Sequence, residues 1–315
     1  MKSMLTGAIT ALAFWVPALA QDADIMAVPD RAALMQPAPN PAWTAWPRDL
    51  KGVMEIAPGV YTYEAGPIRA MFMVTGEGVI ATDPISPEVA ADYLAAIRSV
   101  TDEPIKYLVY SHSHWDHIRG GQVFKDAGAE IVAQENCVAA FTSVPNDEVP
   151  MPDITFKDTL TLELGGRSLE LIYVGPSHSD CLIFMRPDSD GSDGGPYLFV
   201  VDLVTPGGTP GAHMADSQPH TYLAALKAVD ALDFQAIIPG HGPAVAHRSA
   251  VGERARYLET LMAAVRDEFA AGRRNGPEFE ANVRAAISDF EHLSNFEAWS
   301  PGNINRVRTF YTIGW

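Results

Sequence analysis

Cysteine is nearly absent. Of 315 residues only Cys137 and Cys181 are cysteines, so a small disulfide-stapled scaffold is excluded and stability must come from an apolar core. Basic side chains are also scarce: Lys and Arg total 22 against 39 Asp and Glu, a net charge of −17. Such a surface repels phosphate backbones and cannot release their counterions, which excludes general nucleic-acid binding. Low-complexity blocks are missing too, as is any apolar run of the ~20 residues that a membrane-spanning helix needs. What is present, 47% hydrophobic and 19% charged residues, is a globular composition, long enough for one large domain or two modest ones. A helix and several strands are expected between the two cysteines. They are therefore read as small buried hydrophobes, with a single disulfide as the alternative.

Residues 1–20 have one basic residue, Lys2, an apolar stretch from Leu5 to Val16, and a small-x-small ending at Ala18, Leu19 and Ala20. This is the pattern of a secretory signal peptide cut between Ala20 and Gln21, so the mature chain is expected to be periplasmic or secreted, with no membrane contact after cleavage. Residues 21–50, with Pro29, Pro37, Pro39, Pro41 and Pro47, read as an extended lead-in. The folded domain is expected over residues 51–315.

Within that domain, short runs at Val60 to Tyr63, Ala70 to Val74 and Gly78 to Thr82 alternate with glycine and proline turns, as consecutive antiparallel strands do. Ser86 with Pro87 opens a helix whose apolar face is Val89, Tyr93, Leu94 and Ile97. A buried strand, Ile105 to Tyr110, follows. Gly120 and Gly121 then open another helix, Glu130 to Ala133 forms a strand, and Cys137 sits in the next helix. A second run of strands covers Leu160 to Leu164, Ser168 to Tyr173, Cys181 to Arg186 and Tyr197 to Val201, with the polar turn 188–195 between the last two. A helix from Ser217 and Pro219, a strand from Phe234 to Ile238, and amphipathic helices complete the chain. Two halves, each with strands followed by helices, predict an α+β fold with two packed sheets and helices outside: a four-layer αββα sandwich.

Directly after the buried strand stands Ser111-His112-Ser113-His114-Trp115-Asp116-His117. A lone histidine is usually a hydrogen-bonded structural residue. Three histidines and a carboxylate at one strand end are instead the ligand types of zinc and related metals. In an extended segment His112 and His114 point the same way and can reach one ion, while Asp116 and His117, past the turn, can face a second. His178, Asp202 and His241 each follow an apolar strand in or near a turn, so they can converge on the same sheet edge. Together these residues complete two coordination spheres with one shared carboxylate.

The chain thus resembles the metallo-β-lactamase fold superfamily, whose His-x-His-x-Asp-His signature is matched at His112, His114, Asp116 and His117, over residues 51 to about 250. The resemblance implies one ion held by His112, His114 and His178, another by Asp116, His117 and His241, and Asp202 as the bridge. It also implies that Asp83 braces the signature loop. With aspartate and not cysteine at position 202, the ligand set looks more like that of glyoxalase II, lactonases and related esterases. The implied activity is a dinuclear hydrolase, most simply with Zn²⁺ and otherwise Fe or Mn. A metal-bridging hydroxide would attack an ester, lactone, thioester or β-lactam bond of a small-molecule substrate, and Asp116 would orient it or pass a proton to the leaving group. The alternative is an iron-dependent oxidoreductase of the same fold, resembling persulfide dioxygenases. Candidates for the substrate pocket are Trp115, Thr205 and His213, with His220 beside them; the histidines are equally read as surface residues. Nothing in the sequence fixes the oligomeric state.

Overall fold

The computed structural model describes residues 51–189, 195–211 and 213–314. The expected signal peptide and lead-in, and most of the polar turn at 188–195, lie outside the described residues. The first sheet is built from β1 (Lys51–Ala57), β2 (Val60–Ala65), β3 (Ile68–Thr75), β4 (Gly78–Thr82), β5 (Ile105–Val109), β6 (Glu130–Gln134) and β7 (Ile154–Phe156), in that spatial order. The second sheet contains β8 (Thr159–Leu164), β9 (Arg167–Tyr173), β10 (Ile183–Pro187), β11 (Tyr197–Val200), β12 (Ala236–Pro239) and β13 (Ala246–His247), in the order β13-β12-β11-β10-β9-β8. Each sheet begins as an antiparallel meander. Parallel pairing enters at β4–β5, β5–β6 and β6–β7 in the first sheet and at β11–β12 in the second. A parallel neighbour needs a crossover, and the helices supply it.

On the first sheet's side run α1 (Pro87–Val100), the short α2 (Trp115–Ile118), α3 (Gly121–Asp126) and α4 (Cys137–Ser143). On the second sheet's side run α5 (Pro219–Asp230), α6 (Ser249–Ala270), α7 (Pro277–Ala286) and α8 (Phe296–Ile313). Ser86 caps α1, its Oγ accepting from the Val89 N–H at 3.4 Å, with Pro87 in the first turn.

Strand alternation sorts side chains between two cores. On β3, Met71 and Met73 join the cluster between the sheets while Ala70 and Phe72 face α1; on β6, Val132 points between the sheets while Ile131 and Ala133 point to the helices. The inter-sheet cluster continues through Leu171, Phe184 and Val200 to the helices of the second half. The αββα sandwich expected from the order of elements is therefore the observed one.

Three strands were not anticipated: β1, β7 and β13. The reading of the cysteines is also corrected. Cys137 and Cys181 form a disulfide with their Cα atoms 5.3 Å apart, because the first turn of α4 packs against the segment entering β10. Their separation of 44 residues in sequence conceals that contact.

Candidate metal centre

The parallel strands bring the polar residues together. Their carboxyl ends lie side by side at one edge of the sandwich, where loops are free to carry chemistry. β4 and β5 pair with Thr82 opposite Val109, which sets Asp83 beside Ser111 and the signature segment. β11 and β12 pair with Val200 opposite Pro239, which sets Asp202 beside His241. His178 comes from the turn between β9 and β10.

Backbone geometry marks the same loops. Asp83 and Asp202 adopt φ of +36° and +56°, and Ile85 stands at +69°; non-glycine residues hold such angles only where the surroundings over-determine them. The Ile85 N–H donates to the His117 carbonyl at 2.6 Å. Gly120 lets the signature segment lie on this loop, since a Cβ there would stand 2.6 Å from the Pro84 carbonyl oxygen and from the Ala90 Cβ.

His112, His114, His178 and Asp202 form one group able to hold a metal ion; Asp116, His117, Asp202 and His241 form another, with Asp202 common to both. In the first, His178 Nε2 lies 2.9 Å from His114 Nδ1 and 3.2 Å from Asp202 Oδ2, and His112 Nε2 lies 3.5 Å from that oxygen. In the second, His117 Nε2 is 3.2 Å from Asp202 Oδ2 and 3.6 Å from Asp116 Oδ2, and His241 Nε2 is 2.8 Å from Asp202 Oδ1. Asp116 is 58% exposed, whereas His112 and His117 are fully buried.

These side chains fit a cation. His112 Nε2, His117 Nε2 and Asp202 Oδ1 are buried and make no hydrogen bond, a costly state for polar atoms. His241 Nδ1 donates to the Pro67 carbonyl at 2.7 Å, so its Nε2 lone pair faces the carboxylate oxygen of Asp202, an opposition that a cation or proton must relieve. His178 is fixed in the same way, its Nδ1 lying 3.2 Å from Asp216 Oδ2. His112 Nδ1 is 2.8 Å from Ser111 Oγ. Asp83 accepts the Ser111 N–H at 2.8 Å through Oδ1, and its Oδ2 stands 3.7 Å from His117 Nδ1.

Without a cation, protons take that place. Desolvation pushes His117 down, but Asp202, Asp83 and Asp116 outweigh it and raise its pKa to about 9. Desolvation alone would raise Asp202; the facing histidines, His117 foremost, hold it well below the carboxylate range. Burial dominates at His112 and His114, both lowered, and raises Asp83 to about 6.

Two residues around the ligands carry no local sequence signal. Asp216 is one. The other is Arg69 on β3, which is buried and salt-bridged to Glu64 at 3.0 Å. Its Nη1 donates to the carbonyls of Pro239 and Pro243 and its Nη2 to that of Gly242, each at 2.9 Å. The Arg69 N–H also donates to the Gly240 carbonyl at 2.8 Å. One arginine of the first sheet thus clamps the turn of the second sheet that carries His241.

A cavity of about 530 Å³ opens beside His178, Asp202 and His241, and Thr205 lines it. Trp115 and His213 do not line it. Trp115 starts α2 with 42% of its surface exposed. His213 is exposed on a turn whose neighbours Met214 and Asp216 line the cavity instead. His220 stacks on Phe310 at 5.1 Å.

An αββα sandwich with histidine and aspartate ligands at its strand ends defines a metal-binding class, and the sequence agrees. The profile of the metallo-beta-lactamase superfamily matches residues 63–241, and the chain belongs to that superfamily. It is 27% identical over 188 residues to a 2,4-dinitroanisole O-demethylase subunit alpha of Nocardioides sp., covering 58% of this chain and 55% of the relative. It is 26% identical over 242 residues to a linear primary-alkylsulfatase of Pseudomonas sp., covering 61% and 44%. A beta-lactamase-like protein 2 homolog of Caenorhabditis elegans is 26% identical over 191 residues, with 60% and 59% covered. The chain thus spans about half the length of the curated relatives it matches. A solved metallo-beta-lactamase from Pontibacter korlensis superposes with a TM-score of 0.56 at 21% identity, over 66% of this chain and 98% of that one; this similarity is one of fold.

Proposed function

We propose that the protein is an exported, dinuclear metal-dependent hydrolase that cleaves an ester, lactone, thioester or β-lactam bond. The observation that carries this reading is the pair of ligand groups joined through Asp202, with buried ring nitrogens and a carboxylate oxygen that no hydrogen bond satisfies. His112, His114 and His178 would hold one ion and Asp116, His117 and His241 the other. Imidazole with carboxylate suits zinc. Bound there, the ions would polarise the scissile bond and bring a water's pKa toward ~7. The chain's own residues do the rest. Pro67, Ser111 and Asp216 fix ring orientations, Asp83 braces the signature loop, and the neighbouring cavity seats the substrate. Asp116, the most solvent-facing ligand, accepts a proton from the attacking water or delivers one to the leaving group.

Two relatives, named as an alkylsulfatase and a beta-lactamase-like protein, support hydrolysis. The disulfide supports export, because such bonds persist in oxidising compartments. The test is metal analysis of the purified protein with a panel of the four substrate classes. Zinc at two ions per chain, with turnover lost on chelation and regained with zinc, is expected. Iron with oxygen uptake and no hydrolysis would overturn the reading in favour of an oxidoreductase. Export is tested by fractionation, and cleavage by the mass of the exported chain, which should begin at Gln21; absence from the exported fraction refutes the first, and a retained Met1 there refutes the second.

A further inference from the structure

We infer that the part of the substrate remote from the scissile bond is uncharged and apolar; this rests on the hydrolase reading above and narrows it. At about 530 Å³ the cavity falls among sites that enclose a small organic molecule. Beyond the ligands its wall offers apolar surface from Pro206, Pro210, Met214, Tyr222 and Trp299, with glycine backbone between them.

Charge on that wall is sparse, and none of it is a cation free to pair with a substrate anion. Among the described lining residues that are not ligands, the charged ones are Glu64, Asp216 and Arg254. Arg254 is buried and turned to its own chain. Its Nη1 donates to Tyr222 Oη at 2.9 Å, and its Nη2 donates to the carbonyls of Gly208 at 2.8 Å and Thr205 at 3.3 Å. The guanidinium therefore braces the loop that forms the wall and does not offer its fork to a ligand. Glu64 is held by Arg69. Asp216, 41% exposed, keeps a carboxylate at the cavity. A substrate with a carboxylate or sulfate remote from its scissile bond would meet like charge there, in a molecule of net charge −17. An uncharged apolar chain meets proline, methionine and tryptophan.

Arg254, Ser294, Asn295 and Trp299 of the lining lie beyond residue 241, where the superfamily match ends.

The test uses two esters that differ by one remote charge, p-nitrophenyl hexanoate and mono-p-nitrophenyl adipate, with the zinc-loaded mature chain. kcat/KM should favour the neutral ester by about tenfold or more, and the gap should narrow as salt screens the wall. Trp299→Lys, which adds a cation without touching a ligand, should narrow it further at unchanged zinc stoichiometry. Calorimetric binding of the corresponding anilides, hexananilide and adipic monoanilide, to the metal-free chain reads the wall without turnover and should favour the neutral one. Equal rates, or a faster adipate ester, would overturn the inference and leave the hydrolase reading standing. If neither ester is cut, the anilides decide the charge preference and equal affinities sink it, while the hydrolase reading fails only if the panel of four substrate classes is also left untouched.

Discussion

Asp116 differs from the other ligands in that most of its side chain faces solvent, 58% of it exposed, so it can serve both a metal and a proton. Asp116→Asn keeps the shape and one oxygen but not the charge or the basicity. The variant should bind the second ion more weakly and, under saturating zinc, still turn over ~10²–10⁴-fold more slowly. Zinc stoichiometry measured alongside kcat decides the matter: if excess zinc returns kcat to the wild-type value, Asp116 is only a ligand. His178→Ala should cost the ion of the three-histidine group more than the other, since Asp116, His117 and His241 remain; equal loss of both would show that the two positions are not independent. His117 and His178, both raised because facing carboxylates outweigh desolvation, give the site its pH dependence. With a pKa raised to about 9, His117 is protonated at neutral pH in the metal-free chain, and only the neutral ring can ligate. Metal uptake at pH 7 should therefore release a proton, and affinity should rise with pH until it levels near 9. Calorimetry in buffers of different ionisation enthalpy measures that release, and a proton count of zero at pH 7 would contradict it.

Strands flanked by glycine and proline were legible because alternation and turn chemistry are local, and so was the signature segment, whose spacing alone places its rings on one side of a strand end. β1, β7 and β13 were not. β7 and β13 are too short, at three and two residues, to show a period, and β1 abuts the proline-rich lead-in. Long-range pairings leave no local trace, which hid the disulfide, Asp216 and the Arg69 clamp. That clamp makes a prediction at the level of the element. Arg69→Lys keeps a cation beside Glu64 but cannot reach the carbonyls of Pro239, Gly242 and Pro243 with one planar fork. The turn bearing His241 should loosen and the second ion should dissociate about tenfold more readily, as read by competition with a chelator. Unchanged affinity would reduce Arg69 to a packing residue. The disulfide acts on the neighbouring element: replacing both cysteines by serine should lower stability by ~2–4 kcal/mol in denaturant unfolding.

For the whole molecule, the order of strands and helices revealed two packed layers, whereas the cavity wall from the C-terminal helices stayed hidden, because an amphipathic stripe shows what faces the core and not which helix end borders a hollow. The two halves are joined by the inter-sheet core, the disulfide, the Arg69 clamp and the ligand set itself. His112, His114, Asp116 and His117 come from the first half, and His178, Asp202 and His241 from the second. Ligands so distributed converge only in the folded chain, so metal binds the native state in preference to the unfolded one, and its binding free energy adds to stability. At free zinc about a hundredfold above Kd the gain is ~2.7 kcal/mol for each ion bound, so two ions should raise the melting temperature of a domain of this size by roughly 10 °C. Calorimetric melting with zinc and after exhaustive chelation measures it, and Asp202→Ala, which removes the ligand common to both groups, should abolish most of the difference. The variant also supplies the control: if its melting temperature still rises with zinc as far as the wild type's, the ion that stabilises the fold is bound elsewhere and the ligand assignment through Asp202 is wrong.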